Sequence, residues 1–435
     1  MDYDLVIIGA GWAGFNAAIR AKKLGLKVAL IEKDQMGGTC LNHGCIPTKT
    51  LLQSAKIYTL TKKSKIFGIE TSEPKANFNE IQIRKNKIIQ QLQKGMASML
   101  GGIDFLHQEA RILSSNTLEV NRGRINTKFI LIATGSKPGE LKDLKFDGKK
   151  VISSDEILNL KEIPNSLLII GGGVVGCEFA SLFSALGSQV SMVELMPQLL
   201  PGIDKETAKK IEVIFKKKGI KAETNKDAKA LDFNNYDLVL LCVGRIPQTE
   251  SLELDKLGIK LEKNRIVVDE YLRTNIPDIY AAGDCASKIM LAHFAAYQGS
   301  IAAENIADPL HPKKINGSNI PNCIFTDPEI GNVGMGEEDA NNKGIDIKIN
   351  KFYFLSSGMA HILDETEGFI KIISDKKTSE ILGASVIGPR ATELIGILTV
   401  AIQSHLKACE IQGTILAHPT LSEGITSALK ENYGI

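Results

Sequence analysis

The sequence contains 435 residues, of which 43% are hydrophobic and 23% are charged, and its formal net charge is +2. This size and composition predict a globular protein of two to four domains, and the near-neutral charge argues against nucleic acid or an anionic membrane as a partner. No apolar run approaches the roughly 20 residues of a membrane span. The first predicted strand begins almost at Met1, which leaves no space for a targeting peptide, so we expect a cytoplasmic protein.

A dinucleotide fingerprint opens the chain. A predicted strand at residues 4–8 leads into a glycine-rich turn, and a helix and a second strand follow, ending at Glu32. The turn has the G-x-G-x-x-G spacing, with Gly9 for the tight turn, Gly11 for the approach of the pyrophosphate and Gly14 for close packing of helix and strand. The acidic residue at the end of the second strand can hold a ribose diol.

The next stretch, residues 37–49, carries Cys40 and Cys45 five positions apart. In a regular helix this spacing separates the Cα atoms by roughly 8–9 Å, beyond the ~7 Å limit for a disulfide. A bridge between the two cysteines therefore requires an irregular turn. Gly44 supplies backbone freedom for such a turn, and Pro47 disfavours helical geometry at the residue before it. Our interpretation is a disulfide that is made and broken during turnover.

Two other interpretations of this pair remain. Buried, inert thiols are the commonest fate of free cysteines in a cytosolic protein. A plant-type iron–sulfur site also begins with C-x4-C, but it needs a third cysteine three positions on, where this chain has Thr48. We expect no metal. The odd total of seven cysteines argues against a secreted disulfide framework. The isolated cysteines, which we interpret as structural, are Cys177, Cys242, Cys285, Cys323 and Cys409.

The dinucleotide pattern then repeats at the scale of a whole domain. A strand at residues 166–170 leads into a second G-x-G-x-x-G turn, made by Gly171, Gly173 and Gly176, and a helix and a strand follow that end at Glu194. The spacing from the first glycine to the acidic residue is the same in both copies. A repeated fingerprint is stronger evidence than a single one, so we predict two dinucleotide-binding domains.

The segments around the fingerprints are mixed in character. Predicted helices span residues 51–60 and 78–100, and the alternation at residues 103–125 predicts short strands. A loop rich in Pro, Asn and Gly at residues 307–319 marks a boundary. The remainder combines alternating strands with a helix at about residues 392–406 and has no phosphate-binding turn. It predicts an α+β domain.

The fingerprints, the C-x4-C stretch and the separate C-terminal domain resemble the flavoprotein disulfide reductases over nearly the whole chain. This family includes dihydrolipoamide dehydrogenase, glutathione reductase and mercuric reductase. Residues 37–49 are similar to its redox-active signature, and residues 418–423 (His-Pro-Thr-Leu-Ser-Glu) to its C-terminal active-site motif. Residues 290–293, 325–329 and 382–389 are most similar to dihydrolipoamide dehydrogenase.

The resemblance implies an α/β fold with two Rossmann-like domains, which bind FAD and NAD, and a C-terminal α+β dimerisation domain. We place the FAD domain with its redox disulfide at residues 1–145 and the NAD domain at residues 146–268. Residues 269–316 would return to the FAD domain, and residues 317–435 would form the interface domain. The chain is short for the family at residues 228–237, where we expect a surface hairpin to be trimmed and the chemistry to be kept.

The resemblance also implies cofactor contacts. The residues expected at FAD are Gly9, Gly11, Gly14, Glu32, Gly38, Thr39, Lys49, Ala110, Thr134, Gly135, Asp284 and Ala292. The residues expected at NAD are Gly171, Gly173, Gly176, Glu194 and Gly244. Because Glu194 suits a free 2′-hydroxyl and would repel a 2′-phosphate, we expect NAD over NADP. Lys49 and Glu178 correspond to an ion pair beside the flavin.

The implied reaction oxidises dihydrolipoamide and reduces NAD. Cys40 would exchange with the substrate, and Cys45 would pass the electrons on through FAD. His418 would be the base that activates the substrate thiol, and Glu423 would orient its imidazole. In this family the His–Glu pair belongs to the partner subunit, so a homodimer is implied. The implied physiological partner is the lipoyl domain of a 2-oxoacid dehydrogenase or glycine-cleavage complex.

Alternative functions are disfavoured by particular residues. A reductase of another disulfide, such as glutathione, is disfavoured by Glu194 and the Leu-Ser-Glu ending. Mercuric reductase is disfavoured because no cysteine follows Cys409. A non-catalytic structural homologue would be indicated by loss of the two paired cysteines or of the His–Glu pair, all of which are present.

Overall fold

The computed structural model describes residues 1–430. Its first elements are β1 (Tyr3–Ile8), α1 (Trp12–Lys23), β2 (Val28–Glu32), α2 (Gly38–Asn42), α3 (Cys45–Lys62), α4 (Phe78–Met99), β3 (Asp104–His107), β4 (Ala110–Ser114), β5 (Thr117–Val120), β6 (Gly123–Ile132) and β7 (Ser136–Pro138). The middle of the chain forms β8 (Val151–Ile152), α5 (Ser154–Ile157), β9 (Ser166–Ile170), α6 (Val174–Leu186), β10 (Gln189–Val193), α7 (Lys205–Lys217), β11 (Lys221–Glu223), β12 (Leu238–Leu241), β13 (Arg245–Pro247), β14 (Leu261–Glu262), β15 (Arg265–Ile266), β16 (Ile279–Ala281) and α8 (Ala292–Ala307).

Two sheets share a core of four parallel strands, β3-β2-β1-β6 in the first and β11-β10-β9-β12 in the second. A fifth parallel strand extends each core, but β16 follows the other four strands in the chain, whereas β8 precedes them. Their central strands are nearly continuous apolar runs whose side chains are buried, because both faces of each sheet are covered. One face of the first sheet packs against α1 and α8, and the other packs against β4, β5 and residues 252–266. The internal repeat predicted from the sequence is therefore a repeat of the fold.

The two sheets differ at one edge. In the first, the N-terminal half of β6 pairs antiparallel with β5, and β5 with β4, which adds a meander. The corresponding part of the second sheet, residues 228–237, holds only two short 3-10 turns, Ala228–Ala230 and Phe233–Asn235. The expectation of a trimmed hairpin is confirmed in the described chain.

The C-terminal part is a five-stranded antiparallel sheet with the order β17-β18-β21-β20-β19. Its elements are β17 (Asn322–Ile324), β18 (Glu329–Gly334), α9 (Glu337–Asn342), β19 (Ile347–Tyr353), α10 (Gly358–Ile362), β20 (Phe369–Asp375), β21 (Ile381–Gly388), α11 (Ala391–Gln403), α12 (Ala408–Gln412) and α13 (Glu423–Leu429). Helix α11 packs against β18 and β21, and α13 against β19 and β20. This is the predicted α+β domain.

Candidate active site

The two neighbouring cysteines lie on either side of a break between helices. Cys40 is in α2, Cys45 is the first residue of α3, and Gly44 precedes it. A Cβ atom on Gly44 would lie 3.0 Å from the carbonyl oxygen of Thr39, so glycine lets the two helices approach here. The irregular turn predicted from the spacing is present. Both cysteines are free thiols in this structure, and Cys40 hydrogen-bonds to Cys45.

One detail of the sequence-based prediction is wrong. We expected Pro47 to keep the preceding residue out of a helix and the helix to start near residue 51, but α3 begins at Cys45 and includes both Ile46 and Pro47. Proline is tolerated in the first turn of a helix, because the backbone N–H that it lacks has no partner within the helix there. The helix therefore starts at the second cysteine.

The two thiols have opposite electrostatic environments. The pKa of Cys45 is lowered to about 7, first by the hydrogen bond from Cys40 and then by the Lys49 ammonium, against the opposing effect of burial. The pKa of Cys40 is raised, first by its hydrogen bond to Cys45 and then by burial. The pair is thus arranged with a thiolate at the N-terminus of α3 and a thiol as its donor. A thiolate is the form that takes part in disulfide exchange.

A buried ion pair joins this helix to the second fold. Lys49 Nζ lies 2.7 Å from one carboxylate oxygen of Glu178 and 2.9 Å from the other, and the Glu178 side chain is only 4% exposed. Glu178 also accepts a hydrogen bond of 2.9 Å from the backbone N–H of Phe325, whose ring lies 4.9 Å from Lys49 Nζ. Elements of all three parts of the chain therefore meet beside the cysteine pair.

The acidic residues of the two fingerprints are held in the same way. Glu32 accepts hydrogen bonds from the backbone N–H groups of Ala10 (2.7 Å) and Asp34 (2.9 Å). Glu194 accepts them from Gly172 (2.6 Å) and Met196 (2.8 Å). Each carboxylate is fixed between its glycine turn and the residue two positions on. Since a carboxylate offers about four acceptor sites, it can still accept the hydroxyls of a ribose.

The third glycine of each turn is required by close packing. A Cβ atom on Gly14 would lie 1.9 Å from the carbonyl oxygen of Gly9, and one on Gly176 would lie 2.0 Å from that of Gly171. No side chain fits at either distance. Both turns therefore have the geometry in which a helix N-terminus faces a phosphate group.

A cavity of about 300 Å³ lies in front of the first turn. The predicted cofactor residues that line it are Gly9, Gly11, Glu32, Gly38, Thr39, Ala110, Thr134 and Gly135. The cavity lining does not include Gly14, Lys49, Asp284 or Ala292, although Asp284 accepts a hydrogen bond of 2.6 Å from the lining residue Ser136. The sequence thus predicted eight residues of the cavity lining, although these residues lie far apart in the chain.

Seven charged or titratable residues of the cavity lining had been assigned no role: Lys33, Asp34, His43, Glu109, Lys137, Asp155 and Arg245. The Arg245 guanidinium donates to Ser136 Oγ (2.7 Å), to the carbonyl oxygen of Ser136 (2.8 Å) and to Thr39 Oγ1 (3.4 Å). The only sequence signal was the similarity of residues 243–247 to residues 134–138, which places Arg245 at the position of Ser136 in the repeat.

The C-terminal pair is present and well formed. His418 Nδ1 lies 3.0 Å from Glu423 Oε1, and the other oxygen of Glu423 accepts from the backbone N–H of Thr420 at 2.8 Å. The Thr420 N–H and then His418 lower the pKa of Glu423, so this carboxylate stays charged and holds the imidazole. The bond between His418 and Pro419 is cis, and the His418 side chain is 80% exposed. An exposed, oriented imidazole is available to a group from outside this chain.

No helix among residues 1–430 is long and apolar enough to cross a membrane.

The family model of pyridine nucleotide-disulphide oxidoreductases matches residues 3–299, and the model of the dimerisation domain of that family matches residues 320–429. The dihydrolipoyl dehydrogenase of Bacillus subtilis is 37% identical, with 98% of this chain and 97% of the relative covered. The dihydrolipoyl dehydrogenase of Chlamydia trachomatis is 40% identical, with 97% and 95% covered.

Solved structures have the same architecture. The HOCl-induced flavoprotein disulfide reductase RclA from Escherichia coli superposes with a TM-score of 0.88 at 30% identity, covering 98% of this chain and 99% of its own. LpdA from Mycobacterium tuberculosis superposes with a TM-score of 0.90 at 26% identity, covering 98% of both chains. Together with the two dinucleotide folds and the paired cysteines, these matches show that the chain belongs to the pyridine nucleotide-disulphide oxidoreductase family.

Proposed function

We propose that this chain is a dihydrolipoyl dehydrogenase, which converts dihydrolipoamide and NAD⁺ to lipoamide, NADH and H⁺. The observation that carries the proposal is the hydrogen-bonded pair of Cys40 and Cys45 at the start of α3, with a thiolate-stabilising environment at Cys45. The full-length relatives named dihydrolipoyl dehydrogenase support the substrate. Glu194, with both oxygens on backbone N–H groups, favours NAD over NADP because a 2′-phosphate would meet a fixed negative charge.

The residues present fit FAD in the first fold. The cavity combines a glycine turn at a helix N-terminus with the Glu32 carboxylate, which are the groups that bind a pyrophosphate and a ribose. Gly38, Thr39, Thr134 and Gly135 would complete its wall. When bound there, FAD supplies two-electron transfer between a dithiol and a nicotinamide. We also assign Gly14, Ala110, Asp284 and Ala292 to the FAD site. The second fold would hold NAD through its glycine turn, Glu194 and Gly244.

The thiol chemistry follows from the geometry of the chain's own residues. A substrate thiolate attacks Cys40 Sγ, the Cys40–Cys45 bond breaks, and Cys45 leaves as the thiolate that its surroundings stabilise. This step leaves the first substrate sulfur bonded to Cys40. The second substrate thiol attacks that substrate sulfur, the bond to Cys40 breaks, and Cys40 takes a proton. The products are a substrate disulfide and the enzyme dithiol. Lys49, held by Glu178, provides the fixed positive charge beside this thiolate.

His418 fits the role of base for the substrate thiols. It is held by Glu423 and is exposed, so a substrate thiol can reach it. We propose that it serves the cysteines of a second copy, because the chain carries the dimerisation domain of its family. The proposed enzyme is thus a cytoplasmic homodimer that acts on the lipoyl domain of a 2-oxoacid dehydrogenase or glycine-cleavage complex. Residues 1–145 and 269–316 would form its FAD domain, residues 146–268 its NAD domain and residues 317–435 its interface domain.

A side-by-side assay tests this proposal. The purified protein should be yellow and should turn over dihydrolipoamide with NAD⁺ much faster than with NADP⁺. It should show little reduction of glutathione disulfide with NADH or NADPH. A colourless protein that cannot be reconstituted with FAD would contradict the cofactor assignment. A glutathione rate that exceeds the lipoamide rate would favour the other disulfide reductases instead.

A further inference from the structure

Arg245 belongs to one fold by sequence and to the other by contact. It follows Gly244 at the carboxyl end of β12 in the second sheet. Its guanidinium nevertheless donates to Ser136 and Thr39, which line the cavity of the first fold. In open α/β folds a ligand binds at the carboxyl ends of the strands, so a nucleotide held by the second fold would lie near the Gly244 turn. Arg245 thus connects the two nucleotide sites within one residue.

The connection is made by equivalent parts of the repeat. Arg245 occupies in the second fold the position that Ser136 occupies in the first, and the two are directly hydrogen-bonded. Strands β7 and β13, which contain them, form a two-stranded antiparallel sheet between the folds, with Ile246 opposite Lys137. The Gly244 turn is therefore in direct contact with the segment that forms the wall of the first cavity.

The contacts of Arg245 continue to reactive groups. Ser136 Oγ accepts from Arg245 Nε and donates to Asp284 Oδ2 at 2.6 Å. Thr39 is the residue directly before Cys40. The guanidinium is therefore linked through Ser136 to the Asp284 carboxylate and directly to Thr39 of helix α2.

Arg245 also contributes positive charge to the cavity wall. Burial raises the pKa of Asp284 and of Asp155, and the Arg245 charge opposes this rise at both carboxyls. His43 opposes it at Asp155 as well. Burial lowers the pKa of the guanidinium itself, while Asp284 and Asp155 favour its charged form. A permanent cation at the cavity wall favours any bound cofactor state that carries an extra negative charge.

We propose that Arg245 is a positioning residue that couples occupancy of the nicotinamide site to the redox environment of the flavin cavity. The inference rests on the proposed function only in taking the cavity as the FAD site and the second fold as the NAD site. The Arg245 side chain has two separable effects. Its charge favours the reduced state of the bound cofactor, and its forked hydrogen bonds to Ser136 and Thr39 transmit changes from the Gly244 turn.

The test uses the FAD-loaded protein and two variants of the same residue. Arg245→Met keeps the length of the side chain and removes its charge, whereas Arg245→Lys keeps the charge and removes the fork. Arg124→Met, at an exposed position of β6, is the matched control for loss of a cation. Two quantities are measured by visible spectroscopy: the reduction potential of the bound flavin, and the change in its spectrum when NAD⁺ is added.

We expect Arg245→Met to shift the oxidised-to-reduced ratio of the flavin about tenfold toward the oxidised form, which is about 30 mV for a two-electron couple. It should also lose the spectral response to NAD⁺. Arg245→Lys should retain the wild-type potential and lose the response, and Arg124→Met should retain both. If Arg245→Met does not bind FAD, the Lys variant alone decides, because a wild-type spectral response in that variant would overturn the coupling.

A wild-type potential and response in Arg245→Met would likewise overturn the inference, and so would changes of equal size in the control. These outcomes differ from failure of the proposed function. In that case the unmodified protein would itself lack a flavin that NADH can reduce, whatever residue stands at position 245.

Discussion

The two dinucleotide folds share a strand order, a glycine turn and an acidic residue clamped by two backbone N–H groups, but they differ beyond that residue. After Glu32 the chain enters α2 and α3 with Cys40 and Cys45. After Glu194 it enters α7, whose Lys210 and Lys217 pair with Glu367 of the C-terminal domain. The shared part has the geometry for binding a dinucleotide. The differing part places the cysteine pair in the first copy only, whereas both copies contact the C-terminal domain, α3 through Glu365 and α7 through Glu367.

The first expectation is that the cysteine pair affects only the thiol half of the reaction. Cys45→Ser should lower lipoamide turnover by about 10³-fold or more, because it removes the thiolate through which the electrons pass. NADH should still reduce the flavin at a rate near wild type, since the second fold is unchanged. Steady-state assays and single-turnover reduction separate the two halves. Cys409→Ser, at an exposed cysteine outside the site, is the control, and lipoamide turnover in Cys45→Ser equal to that of the control would exclude a redox role for Cys45.

A smaller loss on the same side is expected at His418. His418→Ala removes the base and should lower lipoamide turnover by about 10²-fold, the low end for general base catalysis, with flavin reduction by NADH retained. Glu423→Gln should have a milder effect, because the imidazole stays and only its charged partner is lost. His405→Ala is the matched control, since that exposed histidine also contacts a glutamate, Glu380, at 2.6 Å. Normal lipoamide rates in His418→Ala would remove this histidine from the mechanism.

Equivalent changes in the two folds should have different consequences. Glu194→Gln removes the carboxylate charge and should raise the KM for NADH by about tenfold, as expected for loss of a charged hydrogen bond, with flavin content unchanged. The same variant should narrow the preference for NADH over NADPH. Glu32→Gln should instead weaken FAD binding and leave the nicotinamide preference unaltered.

Absorbance of the purified variants and initial rates with both nicotinamides check this pair. If the two variants gave the same phenotype, the two folds would not bind different nucleotides. If neither had an effect, the clamped carboxylates would have only a structural role in their glycine turns.

The sequence predicted these folds well because each depends on local patterns. A short apolar run, a glycine turn and an acidic residue follow one another within residues 4–32 and again within residues 166–194, and their order determines the βαβ unit. The paired cysteines were recognisable because their spacing does not fit a regular helix. The start of α3 was misplaced, because a proline that usually ends a helix is acceptable in its first turn.

Contacts between distant segments could not be predicted. Arg245 and Ser136 are separated by 109 positions, and each follows a glycine in an apparently independent copy of the fold. Nothing local indicates that β7 and β13 pair with each other. Asp155 lies in the first turn of α5, where its backbone N–H donates to the side chain of the N-cap residue Ser153. It lines the cavity only because the two sheets lie side by side. Arg245 and Asp155 were missed because they lie at the junction of the two folds.

The smallest predicted effect concerns the charge that Lys49 places next to the redox pair. Since the pKa of Cys45 is lowered to about 7, its thiolate forms as the pH rises through 7 and is lost as the pH falls below it. The hydrogen bond from Cys40 is the largest cause and Lys49 a lesser one. Lys49→Met should therefore raise the midpoint by no more than about one pH unit, or about 1.4 kcal/mol.

The titration is followed by the ultraviolet absorbance of the thiolate in the reduced protein, as a difference from Cys45→Ser. Lys56→Met is the control, because Lys56 lies two turns further along α3 and pairs with Glu365 at 3.0 Å. Its midpoint should equal that of the unmodified protein. A midpoint in Lys49→Met that also stays near 7 would mean that the Lys49–Glu178 pair holds the two folds together without tuning the thiol. The ion pair would then belong to the interface between the folds, as the pairing of β7 with β13 does, and the thiolate would depend on Cys40 alone.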